Sequence, residues 1–198
     1  MGQSPLLAPP NPRRRRVLRP STVAPSLCVF VTDLGWFGLV GADDAVHALT
    51  IGHGDAGEVR AAIRRGSDPG TSGALFEKDW HPRLRADLQA YAAGNRVDFS
   101  GYRVLFPSTT PFRTRVLEAT RRIAYGRTLT YAQLAEKVGC PRGARAVGNV
   151  MASNRVPILI PCHRVVARCG LGGFSAPQGV SLKDLMLRME RGEAADQT

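Results

Sequence analysis

The sequence lacks long hydrophobic runs. No apolar stretch in its 198 residues approaches the roughly 18 residues that a membrane-spanning helix needs, so we expect no transmembrane helix. The apolar centre at residues 6–8 is too short for a secretory signal. Gly2 does not begin a myristoylation pattern, because Leu6 stands where serine or threonine is required. These absences argue against a secreted or membrane-anchored protein.

Cysteine and histidine are also scarce, with four of each. The cysteines Cys28, Cys140, Cys162 and Cys169 form no C-x-x-C pair and no spacing typical of a disulfide scaffold. We therefore expect a reducing compartment, which a thiol nucleophile needs. The histidines are scattered as well, and their spacing predicts no metal site.

Negative charge and lysine are the other deficits. The chain has 16 acidic and 27 basic residues, for a formal charge of +11. This excess favours a polyanionic partner, although a basic surface alone does not establish specific binding. Only Lys78, Lys137 and Lys183 are lysines, and the arginine bias suits bidentate phosphate contacts or reflects a GC-rich genome. With 43% hydrophobic residues, the chain can bury a core in one domain or two small ones.

Residues 1–25 are rich in proline and carry an unbroken arginine run at 13–16, and no acidic residue precedes Asp33. This composition predicts a disordered basic tail. Such a tail has three interpretations: a DNA-tethering arm, a transit peptide, or a solvated tail without a specific role.

Residues 26–106 have the pattern of a small α/β domain. Short apolar segments predict strands at 27–31, 36–40 and 46–51, and a further strand at 97–106. Helical spacing of apolar residues predicts helices at 58–65 and 83–93. No chemistry is predicted here, and Trp80 and His81 are interpreted as packing residues.

A linker at 107–111 leads into a mainly helical region. Thr110 followed by Pro111 predicts a capped helix start, and Thr130 with Gln133 forms a capping-box pattern for a second helix. A third helix is predicted at 142–152. Two short helices joined by a glycine-containing turn indicate a helix-turn-helix.

The helix predicted at 142–152 is built from small residues around one arginine. The residues are Gly143, Ala144, Arg145, Ala146 and Gly148. A face of small side chains permits close approach, either by another helix or by a DNA groove into which the arginine would project.

The stretch Pro161-Cys162-His163-Arg164 follows the apolar run 156–160, which reads as buried chain. A thiol beside an imidazole is a candidate nucleophile with its base, although a cysteine after an apolar run is also an ordinary core residue. Adjacent side chains seldom face each other, so His163 would reach Cys162 through a water or a bend.

Three segments that follow one another along the chain, 145–151, 153–154 and 156–166, together closely resemble the O6-alkylguanine-DNA alkyltransferases (methylated-DNA–protein-cysteine methyltransferases). The resemblance is strong over 112–192 and weak over most of the remaining chain. It implies an α/β fold in which a small N-terminal α/β, ribonuclease-H-like domain at 26–106 supports a helical domain at 107–198 with a helix-turn-helix. The second domain would bind DNA and carry the alkyl acceptor.

The resemblance also implies roles for individual residues. Cys162 would accept the alkyl group, His163 would remove its proton through a water, and Glu190 would orient His163. The Tyr131 hydroxyl would donate to the flipped base, and Arg145 would fill the space which that base leaves. The remaining implied residues are Ala144, Ala146 and Gly148 against DNA, and Met151, Asn154, Val165 and Ser175 at the substrate pocket, with Asn154 bracing the turn before it.

The implied activity is irreversible, single-turnover repair of O6-alkylguanine, and of O4-alkylthymine as a further substrate. The implied partner is double-stranded DNA containing the lesion, the implied state is a monomer, and no metal or organic cofactor is required. A structural zinc stays open, since some family members have one in the N-terminal part. We expect a cytoplasmic location, or a nuclear one in a eukaryote. The alternatives are a non-catalytic sensor of alkylated DNA and a plain helix-turn-helix regulator.

Three departures from the family pattern stand near the implied pocket. Phe174 replaces the usual tyrosine, and Arg155 replaces the usual proline after Asn154. The segment 176–179 replaces a shorter glycine-rich stretch and adds about two residues to it. The first and third changes bear on which alkyl groups fit, and none removes the nucleophile.

Overall fold

A computed structural model describes residues 23–66, 75–106 and 110–193. Most of the predicted tail and residues 107–109 of the predicted linker lie outside these ranges. Within them, no helix combines the length and apolar character that a membrane crossing requires.

The first half of the chain is built on a five-stranded sheet. Three antiparallel strands form its centre, β1 (Ser26–Thr32), β2 (Gly35–Ala42) and β3 (Ala45–His53). Two short strands extend its edges in parallel, β4 (Phe76–Glu77) beside β1 and β5 (Arg103–Val104) beside β3. The three strands predicted at 27–31, 36–40 and 46–51 are confirmed.

Two helices accompany this sheet, α1 (Ala56–Gly66) and α2 (Pro82–Ala92), as predicted. His81 caps α2, because its Nδ1 accepts a hydrogen bond from the Leu84 N–H at 3.3 Å. The Trp80 indole donates to the Leu39 carbonyl at 3.0 Å, which ties the start of α2 to the sheet.

The strand predicted at 97–106 is wrong, since only Arg103–Val104 is strand. Locally, the Asp98 carboxylate accepts hydrogen bonds from the backbone and hydroxyl of Ser100, which favours a turn. The Arg121 guanidinium then takes up the carbonyls of Phe99, Ser100 and Tyr102, which a sheet neighbour would otherwise use.

The second half is mainly helical, and both predicted helix starts are confirmed. Thr110 caps α3 (Pro111–Arg121), and Thr130 and Gln133 form both hydrogen bonds of a capping box at α4 (Tyr131–Lys137). After a turn at 138–143, α5 (Ala144–Ala152) packs against α4 as the second helix of the helix-turn-helix.

The apolar run before Cys162 is buried, as predicted, and forms a turn rather than a helix or strand. It leads into a 3-10 turn at Cys162–Arg164 and then β7 (Val165–Val166), which pairs in parallel with β6 (Leu129–Thr130). The last helix, α6 (Gly179–Glu190), packs against the 3-10 turn and ends at Glu190.

The two halves share one continuous apolar core. Gly52 of β3 lies so close to α6 that a Cβ there would meet the Leu182 side chain at 2.5 Å. Gly52 also has a φ of +75°, which favours glycine. The predicted fold class is therefore confirmed, with an α/β half followed by a helical half, while the domain boundaries at 26–106 and 107–198 stay predictions.

Candidate active site

Cys162 begins the 3-10 turn and is only 5% exposed. It lies at one wall of a cavity of about 310 Å³. The cavity is lined by Tyr131, Gly148, Met151, Ala152, Cys162, Gly173, Phe174 and Ser175. A small group entering this cavity therefore meets Cys162.

The Cys162 thiol is protonated in the protein without substrate. Burial raises its pKa, while a hydrogen bond to the Asn154 side chain and the nearby Lys183 charge act in the opposite direction. A buried thiol with a raised pKa is a poor nucleophile until a base removes its proton. The site therefore needs a base.

His163 has the position and the protonation state of such a base. Its side chain is fully buried, and its Nε2 lies 2.8 Å from the Glu190 carboxylate. A carboxylate only accepts, so we assign the proton of neutral His163 to Nε2, which leaves a lone pair on Nδ1. Burial, with the Arg164 and Lys183 charges, lowers the pKa of His163 more than Glu190 raises it, so the ring is neutral at physiological pH.

Nδ1 of His163 is buried and has no hydrogen-bond partner in the described part of the chain. A buried polar atom is normally paired with protein or water. An unpaired acceptor one residue from a protonated thiol matches a base that works through a bridging water.

The Glu190 carboxylate is the centre of the buried polar cluster. It accepts hydrogen bonds from His163, from Arg164 twice, from the Tyr91 hydroxyl at 2.7 Å and from the Gly126 N–H at 3.0 Å. Burial would raise its pKa, but the hydrogen bonds from His163 and Arg164, together with their electrostatic attraction, outweigh burial and hold the pKa well below its usual range. Because the guanidinium is always charged, Glu190 is ionised even while His163 is neutral.

Two members of this cluster were not predicted. Arg164 is nearly buried and also donates to the Ile123 carbonyl at 2.6 Å. Its position directly after His163 is the sequence feature that could have indicated its place in the cluster. Tyr91 lies in the helix predicted at 83–93, and nothing in its sequence neighbourhood indicates that its hydroxyl reaches Glu190.

Lys183 of α6 is a third unpredicted residue. It is fully buried, and its ammonium donates to the carbonyls of Val165 at 2.7 Å and Gly173 at 3.2 Å. Burial lowers the pKa of Lys183 to about 8, while the nearby Cys162 acts in the opposite direction. Lys183 thus joins β7, the strand that follows the Cys162 turn, to the loop that walls the cavity.

The predicted pocket residues occupy different places. Met151 and Ser175 line the cavity, whereas Asn154 and Val165 are not among its lining residues. Val165 is fully buried in the core. The Asn154 side chain donates to the Ile160 carbonyl at 2.9 Å and accepts from the Val156 N–H at 3.2 Å, which spans the turn that leads to Cys162.

The predicted DNA-contacting residues share α5. Arg145 and Ala146 are exposed, Ala144 and Gly148 are half-buried, and the apolar side chains of the helix face the core. Gly148 also lines the cavity together with the Tyr131 ring. The outer face of α5 therefore consists of small residues around one exposed arginine. Through Gly148, the same helix also borders the Cys162 cavity.

The three departures from the family pattern have defined places. Phe174 lines the cavity. Gln178 donates to the Gly52 carbonyl at 3.0 Å, which attaches the longer loop to β3. The Arg155 guanidinium donates to the Gly66 carbonyl at 2.6 Å. The backbone carbonyl of Arg155 accepts from the Leu49 N–H at 2.8 Å.

In the described ranges, no group of three His, Cys, Asp or Glu side chains is arranged to hold a metal ion. All four cysteines are free. Cys162 combines burial, a cavity and a neighbouring imidazole, so it is the candidate nucleophile.

Known proteins resemble this chain in sequence and in fold. Residues 111–192 match the family described as 6-O-methylguanine DNA methyltransferase, DNA binding domain. The methylated-DNA–protein-cysteine methyltransferase of Metallosphaera sedula is 43% identical over 117 residues, which cover 59% of this chain and 72% of that protein.

The protein of the same name from Mycobacterium leprae is 34% identical over 144 residues, which cover 72% of this chain and 85% of that protein. The crystal structure of Mycobacterium tuberculosis OGT in complex with DNA aligns with a TM-score of 0.70 at 25% identity, covering 85% of this chain and 94% of that one. Sequence similarity over most of a relative, together with the same fold and a buried Cys-His-Glu cluster, places this chain in the methylated-DNA–protein-cysteine methyltransferase family.

Proposed function

We propose that the protein repairs O6-alkylguanine in double-stranded DNA by transferring the alkyl group to Cys162. The observation that carries the proposal is that Cys162 lines a small cavity and is followed by a neutral His163, whose partner is the ionised Glu190. O4-alkylthymine is proposed as a further substrate, since it presents a comparable O-alkyl group. We propose that the protein acts as a monomer.

In the proposed reaction, His163 takes the Cys162 proton at Nδ1 through a bridging water. The Glu190 carboxylate holds the ring by Nε2 and stabilises the imidazolium that forms. The thiolate then attacks the alkyl carbon. A carbon–sulfur bond forms, the carbon–oxygen bond to guanine breaks, and the bonding electrons stay on the base.

Tyr131 is proposed to donate its phenol hydrogen bond to the departing base. Its ring lines the cavity, and burial together with the nearby Cys162 raises the pKa of its hydroxyl, so it remains a donor at neutral pH. The base needs such a donor, because its ring becomes anionic as the carbon–oxygen bond breaks.

The proposal requires the target base to leave the duplex, since an O6-alkyl group inside stacked DNA cannot reach a buried sulfur. The small side chains on the outer face of α5 allow close approach to a DNA groove, and Arg145, exposed on that face, is proposed to fill the gap left by the flipped base. The chain charge of +11 favours DNA as the polyanion.

The test is the stoichiometry of repair on a duplex with a single O6-methylguanine. We expect one guanine restored per protein molecule and no second turnover, because a thioether offers no path for release of the methyl group. Repeated turnover, or no loss of O6-methylguanine, would contradict the proposal. Binding without repair would instead support the alternative, a sensor of alkylated DNA, which the presence of Cys162 argues against.

Replacing Arg145 with alanine is expected to slow repair of the duplex by roughly tenfold or more, since flipping costs a few kcal/mol and each ~1.4 kcal/mol is a factor of ten. The matched control is Arg142→Ala, which removes an exposed arginine just before α5 and should retain most of the rate. Single-turnover kinetics give the comparison. Equal rates for Arg145→Ala and the wild type would remove Arg145 from the flipping step.

A further inference from the structure

The α/β half contributes one side chain to the buried cluster beside Cys162. Tyr91, on α2, is fully buried, and its hydroxyl lies 2.7 Å from Glu190 Oε1 and 3.3 Å from His163 Nε2. We infer that Tyr91 is a positioning residue for alkyl transfer, which holds Glu190 and His163 in the arrangement that leaves Nδ1 free for Cys162. This inference rests on the proposed function.

The hydrogen-bond directions follow from the partners. An ionised carboxylate only accepts, so the Tyr91 hydroxyl hydrogen points to Glu190 Oε1. The lone pairs of the same oxygen then face His163 Nε2, where the ring hydrogen lies between two acceptors. Both contacts favour the tautomer with the hydrogen on Nε2, so the lone pair stays on Nδ1.

Tyr91 also limits how strongly Glu190 holds the imidazolium. His163 faces ionisable groups from several elements, which are Glu190 and Lys183 on α6, Arg164 and Cys162 on its own turn, and Tyr91 on α2. The hydroxyl draws negative charge from the carboxylate oxygen that His163 uses. Without it, that oxygen attracts the imidazolium more strongly, and the pKa of His163 rises.

The surrounding rings keep the hydroxyl in this place. The Tyr91 ring meets the rings of Phe99 and Tyr125 edge-on, with centroids 5.9 and 6.4 Å apart. Tyr125 offers a matched control, because its ring adjoins the same cluster but its hydroxyl points to the Gly94 carbonyl at 3.5 Å. Tyr91→Phe removes the hydroxyl from the cluster, and Tyr125→Phe removes a hydroxyl beside it.

The experiment measures single-turnover transfer from an O6-methylguanine duplex between about pH 5 and pH 9 for the wild type and both variants. For Tyr91→Phe we expect the plateau rate to fall about tenfold, and the acid limb of the profile to move upward by roughly half a pH unit or more. Tyr125→Phe should follow the wild-type profile. A role in packing alone would lower stability but leave the acid limb in place.

A second measurement does not depend on transfer. Nitrogen-15 NMR of the His163 ring reports its tautomer and pKa directly, and we expect a mixed tautomer and a raised pKa in Tyr91→Phe. If the wild type transfers methyl groups but Tyr91→Phe has the same profile and the same ring shifts, the inference on Tyr91 is wrong. If the wild type transfers none, the proposed function fails, and the ring shifts still decide whether Tyr91 positions His163.

Discussion

Replacing Cys162 with serine is expected to abolish alkyl transfer while the fold and the binding of lesion DNA persist. Serine is nearly the same size, so the cavity and the His163–Glu190 pair should stay in place. Its hydroxyl is far less acidic than a thiol and a much weaker nucleophile toward an alkyl carbon. We expect the single-turnover rate to fall by at least about 10⁴-fold, as when a covalent catalyst loses its nucleophile.

The matched control is Cys28→Ser. Cys28 is also buried, 4% exposed, but lies on β1 and contacts Asp79. Both substitutions put a hydroxyl into a buried site and should cost comparable stability, whereas only Cys162→Ser should lose transfer. Retained transfer by Cys162→Ser would mean that another group accepts the alkyl, and the mechanism above would be wrong.

Replacing Glu190 with glutamine is expected to have the largest effect on stability. The change keeps the shape of the side chain but leaves the Arg164 guanidinium buried without a counter-charge. Breaking a buried ion pair from one side typically costs about 3–5 kcal/mol, since the remaining charge is desolvated and uncompensated. Transfer should also slow, because His163 loses the carboxylate that holds its Nε2 hydrogen.

The control is Glu193→Gln, three residues further on. Glu193 pairs with Arg191 at 2.7 Å, but both side chains are about half exposed. Exposed pairs contribute little, so denaturant unfolding should show no clear change for this variant. Equal unfolding midpoints for Glu190→Gln and the wild type would contradict the description of Glu190 as the centre of the cluster.

The same carboxylate predicts the pH dependence of folding. The folded-state pKa of Glu190 lies below its unfolded value of about 4.3, so its contribution is fully present above that value and is lost as pH falls toward the folded pKa. His163 adds to this trend, because its lowered pKa leaves the folded ring neutral below about pH 6.5, where the unfolded chain takes up a proton. Urea unfolding between about pH 7 and pH 3 should therefore show a steady loss, shallower in Glu190→Gln below about pH 5.

Local signals in the sequence predicted the elements that local forces determine. The caps at Thr110 and Thr130 satisfy backbone groups within three residues, so their outcome can be read from adjacent residues. The strand at 97–106 failed for the opposite reason. There the backbone carbonyls accept hydrogen bonds from Arg121, about twenty residues away. The local alternation of apolar and polar residues gives no sign of such a contact.

The cluster around Glu190 also combines residues that the sequence indicates with one that only long-range packing brings in. The resemblance named Cys162, His163 and Glu190, because the stretch around Cys162 is distinctive. Tyr91 is 72 residues from His163 and 99 from Glu190, so its hydroxyl meets them only once both halves of the chain are packed together. In the sequence, a tyrosine at helical spacing is indistinguishable from a core residue.

Alkyl transfer to Cys162 is tested most directly by the intact mass of the protein after incubation with a duplex bearing O6-methylguanine, followed by peptide mapping. We expect one added methyl group per molecule, located on Cys162, with no further gain in mass when more lesion DNA is supplied. Tight binding to the lesion with no added mass would contradict alkyl transfer, and would mean that this cavity recognises alkylated DNA without repairing it.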